Sequence, residues 1–167
     1  MPTNLELKIE VQSHQKLRDK LINIGADNIG QLNQKDVYYT VPDGLLKLRI
    51  ENGKESLIFY RRDEKGSNRW SNFDLIKFEN EGGEKFFNKI FAVETVVEKR
   101  RELFIYEDTR IHLDDVKFLG TFLELETLVI KGKEEAMVRF EGIINILELD
   151  TSKQIKKSYR DLLLKSK

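Results

Sequence analysis

From Asn4 to Val11 polar and apolar residues alternate without a break. Asn4, Glu6, Lys8 and Glu10 fall on one side of an extended chain, and Leu5, Leu7, Ile9 and Val11 on the other. The pattern then changes to a helical spacing. Ser13 is a suitable N-cap, Leu17, Leu21, Ile22 and Ile24 form one stripe, and Gly25 supplies a stop. Alternation resumes over about Asn28 to Thr40, which holds Gln34-Lys35-Asp36-Val37-Tyr38-Tyr39, and a turn follows at Pro42-Asp43-Gly44. Leu46, Leu48 and Ile50 next alternate with Lys47, Arg49 and Glu51. Asn52-Gly53 is a type I′ hairpin signal, and the returning strand, Lys54 to Arg62, puts Ile58, Tyr60 and Arg62 on one face.

A polar loop over Asp63 to Asn68 leads to a strand from Arg69 to Glu79, with Trp70 and Phe73 as packing aromatics. Asn80-Glu81-Gly82-Gly83 interrupts the chain. Glu84 to Phe91 reads as a short helix burying Phe86, Phe87, Ile90 and Phe91, and Val93 to Tyr106 as a long strand. On that strand Lys99 and Arg101 share a face. After a turn near Asp108, Arg110, His112 and Asp114 share a face of the next strand, and after Gly120 so do Phe122, Glu124 and Glu126. Ile111, Leu113, Leu123 and Leu125 make the opposite, apolar covering. Beyond Gly132 the spacing turns helical once more through Ala136, Met137, Phe140, Ile143, Ile144 and Leu147, with Gly142 a weak point. Thr151 is expected to cap a last helix carrying Ile155, Tyr159, Leu162 and Leu163.

Eight such strands, joined mostly as hairpins and meanders, can close into an antiparallel barrel, which makes the expected fold class α+β. If the helical stripes cover the apolar faces from outside, the charged faces turn inward. Burying so many charges is prohibitive in a dry core and tolerable in a wet tunnel that holds a highly charged ligand. Periodicity alone leaves a second arrangement open, a sheet with helices on one face and water on the other.

Length and composition narrow the possibilities. The 167 residues suit one domain spanning 1–167 with a sizeable core. Net charge is zero, whereas a general nucleic-acid binder is usually basic. The absence of cysteine excludes disulfides, zinc-thiolate sites and a cysteine nucleophile. No secretory h-region and no run of membrane-spanning length are evident, so a soluble cytoplasmic protein without nucleic-acid or membrane partners is expected. Self-association into a homodimer is left open.

The candidate inner faces carry Lys8, Lys47, Arg49, Arg62, Lys99, Arg101 and Arg110, against Glu6, Glu124, Glu126 and Asp114. Such a surface does not suit a lipid-carrying barrel. It does suit a triphosphate, which carries about four to five negative charges near neutral pH. Lysine offers phosphate a point charge and arginine a bidentate fork. Carboxylates are the hard oxygen ligands that Mg²⁺ or Mn²⁺ prefers. Taken one at a time, a strand Lys or Arg is most often a solvated surface residue, Glu124 and Glu126 could be an edge-strand charge device, and Tyr38 could be core.

Several separated blocks lift the functional reading together. They are Leu5-Glu6-Leu7-Lys8, the Gln34 to Tyr39 segment, Leu46-Lys47-Leu48-Arg49, Leu57 to Arg62, the run from Thr109 to Glu126, and Ser158 to Leu163. In this order they resemble the CYTH superfamily, also called triphosphate tunnel metalloenzymes, and most closely its class IV adenylyl cyclase-like branch. The resemblance implies a closed tunnel with helices outside, and Glu6, Glu124 and Glu126 as metal ligands. It also implies Tyr38 with Lys99 as a proton-handling pair. His112 reads as a polar wall residue first and a catalytic base second. The chain departs from the family's Glu-x-Glu-x-Lys signature at Asn4, where the first glutamate is lost, and this implies a weaker metal site.

Three functions are compatible with this pattern. The leading one is a metal-dependent phosphohydrolase acting on ATP, thiamine triphosphate or tripolyphosphate, with Mg²⁺ or Mn²⁺ as cofactor. The second is conversion of ATP to cyclic AMP and pyrophosphate, although no adenine-reading motif is recognisable. The third is a polyphosphate- or nucleotide-binding module without catalysis.

Overall fold

Period-2 segments dominate the chain, and in the computed structural model, which describes residues 2–63 and 68–166, they close on themselves. The strands are β1 (Thr3–Glu10), β2 (Asp27–Tyr39), β3 (Leu45–Glu51), β4 (Lys54–Asp63), β5 (Arg69–Lys77), β6 (Val93–Tyr106), β7 (Thr109–Val116) and β8 (Gly120–Leu128). They form a closed barrel in the order β1-β5-β4-β3-β2-β6-β7-β8, every neighbouring pair antiparallel. The expected eight-stranded α+β barrel is therefore the observed one. The hairpin at Asn52-Gly53 has positive φ at both residues, 49° and 79°, as a type I′ turn requires.

The outward apolar faces are covered as the pattern demands. Leu5, Leu7, Ile9, Ile111, Leu113, Leu123 and Leu125 form the main core with α1 (Gln15–Asn23) and α3 (Lys133–Leu147), through Leu17, Leu21, Phe140, Ile143 and Leu147. A second outer cluster, Val37, Tyr39, Leu46 and Leu48, lies under α2 (Gly83–Ile90). Among the described residues no helix is long and apolar enough to cross a membrane.

Local expectations fail at four places, each for a physical reason. The cap of α1 is His14, and Ser13 Oγ only accepts from the Gln15 backbone N–H at 3.2 Å. On α2 the covering residues are Phe87 and, just past its end, Phe91, an i, i+4 pair stacked with each other. Phe86 and Ile90 point away and stay exposed. The last helix does not start at Thr151. Thr151–Lys153 is a single 3-10 turn capped by Asp150, because Ile155 N–H then bonds to Lys8 C=O at 2.8 Å and pulls the chain straight. Helix α4 begins at Tyr159 behind a Ser158/Asp161 capping box.

The fourth difference concerns where α4 (Tyr159–Lys165) sits. It does not lie on the outside of the barrel. Tyr159 and Leu163 pack on Tyr38, Val97, Val116 and Phe122, which alternate with outward residues and so face the interior. The helix stops one end of the barrel.

Candidate active site

The inward positions of the strands surround one cavity of about 570 Å³. Lys8, Lys47, Arg49, Arg62, Lys99, Arg101 and Arg110 all line it, together with Glu6, Glu124, Glu126, Tyr38, Tyr60 and Tyr159. Asn4 lines it too, so the uncharged amide stands on the cavity wall, two residues from Glu6.

Asp36 organises one side of this space. It is fully buried on β2, directly across the ladder from Arg49. Its carboxylate accepts from Arg49 Nε and Nη2 at 2.8 Å each, from Lys47 Nζ at 3.0 Å and from Lys99 Nζ at 3.0 Å. Burial would raise the Asp36 carboxyl, but Arg49, Lys47 and Lys99 outweigh it and hold it well below the usual range. The three cations are thereby held side by side at the cavity wall. The sequence reading placed Asp36 within a motif and gave it no role. Its alternation with Gln34 and Tyr38 was visible, whereas its pairing to β3 and β6 depends on register.

A second group lies across the barrel. Arg101 Nε and Nη2 donate to Asp114 at 2.7 Å each, and Nη2 also to Glu124 at 3.2 Å. Tyr159 O–H donates to the same Asp114 at 2.7 Å. Asp114 is thus buried behind Arg101 and α4, off the cavity wall, and is not placed to ligate a metal there. His112 is also buried off that wall, and neither ring nitrogen has a hydrogen-bond partner among the described residues. Burial first, and then Arg101, push its pKa well below 6.5, which keeps it neutral. A catalytic His112 has no support in this geometry.

Tyr38 and Lys99, the expected proton-handling pair, both line the cavity, but among the described residues no hydrogen bond joins them. Tyr38 shares a hydrogen bond of 3.3 Å with Tyr60 O–H, and Lys47 Nζ lies 5.5 Å from its ring centre. Burial drives Tyr38 well above 10, so it is a neutral phenol. Lys8 Nζ donates to Lys157 C=O at 3.0 Å and lies 4.2 Å from the Tyr159 ring centre, tying the first strand to the stopper.

Glu6 takes a short hydrogen bond from Ser71 and lies 3.5 Å from Arg62 and 3.4 Å from Arg69. Arg69 is fully buried and was not singled out from sequence, where it is only the first residue of a strand. Glu126 faces Glu6 across the β1–β8 ladder, and Glu124 stands two residues along β8. Burial raises the Glu126 pKa, Arg110 opposes this, and Glu124 and Glu6 add to it. Glu124 is instead held well below its usual value, Lys8 and Arg101 overriding its burial. Among the described residues no three His, Cys, Asp or Glu side chains converge as a ready-made metal cage. Mg²⁺ does not need one, since it usually keeps waters and takes one or two carboxylates plus phosphate oxygens. The oxygen-only donors Glu6, Glu124 and Glu126 fit that chemistry.

Burial first, with Arg49 adding, brings the Lys47 pKa down to about 7, and burial does the same to Lys8. An anion in the cavity favours the charged lysines. Binding should therefore take up protons above pH 7, and affinity should fall as pH rises. With tripolyphosphate as probe, we expect about ten-fold weaker binding at pH 9 than at pH 7.5, and a smaller dependence in Lys47→Met. Calorimetry in two buffers of different ionisation enthalpy checks this; equal heats in both would remove the shifted lysines from the account.

Comparison with known proteins agrees with this architecture. The sequence matches the CYTH domain family over residues 2–159. A Methanocaldococcus jannaschii protein named "Putative adenylate cyclase" is 26% identical over 170 residues, covering 95% of this chain and 97% of that protein. The PH1012 protein of Pyrococcus horikoshii superposes with a TM-score of 0.85 at 26% identity, covering 95% of this chain and 98% of its own. A Hippeastrum protein, described as a "putative adenylyl cyclase" with a dominant triphosphatase activity, shares the fold at 15% identity. Its TM-score is 0.72, over 100% of this chain and 97% of that one.

Proposed function

Since the chain belongs to the CYTH domain family, and the Hippeastrum protein that shares its fold is described as having a dominant triphosphatase activity, we propose that it is a divalent-metal-dependent phosphohydrolase of a triphosphate-bearing small molecule. The observation that carries this reading is the convergence of nine basic side chains, from Lys8 to Arg110, on one cavity. Lys47, Arg49 and Lys99, spaced by Asp36, bind phosphate oxygens and oppose the negative charge that spreads over the transferred phosphoryl group. Arg101, fixed by Asp114, supplies a rigid fork from the other wall. Tyr159 and the rest of α4 exclude water from the stopped end. Glu6, Glu124 and Glu126 would hold Mg²⁺ or Mn²⁺, which supplies charge neutralisation and activation of a water nucleophile. ATP, thiamine triphosphate and tripolyphosphate remain the candidate substrates.

Incubation with each of these three and Mg²⁺ or Mn²⁺ tests the reading, and phosphate release that stops on chelation is the expected outcome. Release of cyclic AMP and pyrophosphate from ATP would replace it with the second reading, which the name of the Methanocaldococcus jannaschii relative favours. Binding without turnover would leave a binding module.

The carboxylate wall makes a separate prediction. Glu126→Gln removes a charge whose burial and acidic neighbours already disfavour it, so a thermal melt should stay within about 3 °C of wild type. The half-saturating metal concentration should rise by about ten-fold or more, since one charge of a divalent site is lost. An unchanged metal titration would take Glu126 out of the ligand set.

A further inference from the structure

The cavity wall is chemically two-sided. β1, β3, β6, β7 and β8 bring most of the charges; on β4 and β5 the charged inward residues stand at the two ends, Arg62 at one and Lys54 and Lys77 at the other, and leave an apolar strip between them. Tyr60 pairs with Phe73 and Ile58 with Leu75 across the β4–β5 ladder. Ile58, Phe73 and Leu75 all line the cavity. Leu75 is 45% exposed there. Ile58 lies directly opposite Lys47 on the β3–β4 ladder, so the strip starts one strand, about 4.8 Å, from the cation cluster.

We propose that this strip seats the organic part of a triphosphate ester, which makes the substrate an organic triphosphate and not inorganic tripolyphosphate. The inference rests on the triphosphate reading of the same cavity. A bare polyphosphate offers no surface that could dry Leu75 and Ile58, so it would leave them wet beside the site. The ring of a nucleoside or thiamine-type alcohol covers such a wall while its phosphate tail reaches Lys47 and Arg49 one strand away. Lys54, Glu55 and Lys77 lie on the same cavity wall and provide polar atoms that can orient the ring.

Binding, read by calorimetry in the presence of Mg²⁺, tests this without relying on turnover. The probes are a methylene-bridged ATP analogue, thiamine triphosphate and tripolyphosphate. Leu75→Ser should weaken at least one organic probe about five-fold or more and leave tripolyphosphate unchanged, and the affected probe identifies the moiety. Ile76→Ser, an exposed position of the same strand pointing outward, should change neither. Equal effects of Leu75→Ser on all three probes, or no effect on any, would overturn the seat while leaving the triphosphate site standing. Failure of all three to bind wild-type protein would overturn the triphosphate reading, and the seat with it.

Discussion

Asp36→Asn should lower the melting temperature by roughly 6–20 °C at pH 7. The substitution keeps the shape of the side chain and removes the one negative charge shared by Lys47, Arg49 and Lys99. Breaking a buried ion pair by removing one partner costs about 3–5 kcal/mol, because the remaining charge is left uncompensated. For a chain of this size each kcal/mol corresponds to roughly 2–4 °C. The loss should shrink towards pH 9. Lys47 and Lys99 already have lowered pKa values, and without Asp36 they shed their protons more readily, whereas Arg49 cannot. Melts at pH 7 and pH 9 decide the matter. A variant melting within about 2 °C of wild type at pH 7 would show that Asp36 does not hold the cluster together.

Arg49→Ala should have the opposite profile, little change in stability and a large loss of turnover. Asp36 keeps Lys47 and Lys99 as partners, so no buried carboxylate is orphaned. The cavity, however, loses a fixed planar donor at its wall. Removing one pre-organised donor to developing negative charge costs on the order of 10²–10³ in rate. Arg49→Lys restores the charge without the fork and should fall in between. Phosphate release from whichever triphosphate is turned over gives kcat/KM for all three proteins. Values for Arg49→Ala within about five-fold of wild type would remove Arg49 from the catalytic apparatus.

The barrel was legible in the sequence because period-2 alternation survives even where a strand is buried on both sides, as in Leu5 to Ile9 or Ile111 to Asp114. The same alternation collected the cavity cations, since every inward position of a strand is two residues from the next. What alternation does not encode is depth along the barrel axis. Lys99, Arg101, His112 and Asp114 share the inward parity, yet only the first two line the cavity. His112 and Asp114 lie behind them, Asp114 bonded to Tyr159 from a helix at the far end of the chain. Lateral pairing was equally hidden. Asp36 meets Arg49 through the β2–β3 register and Lys99 from β6, and neither register can be read from one strand. The start of α4 was misplaced for a related reason. Thr151 and Ser158 both have the chemistry of a cap, and the choice between them is made by the distant bond from Ile155 N–H to Lys8 C=O.

The position of β1 between β5 and β8 governs how this molecule can form. The first strand finds one neighbour only when Arg69–Lys77 exists, and the other only when Gly120–Leu128 exists. Contacts this distant in sequence carry a large loop-closure cost, so folding should be slow compared with a helical bundle of equal length. A chain emerging from the ribosome must carry Leu7 and Ile9 without a strand partner until β8 has been synthesised. Closure then removes every strand edge at once. Helix α4 comes last and arrives at a cavity whose charges are already assembled. The stopped end of the site is therefore complete only when Tyr159 and Leu163 have docked on Tyr38, Val97, Val116 and Phe122.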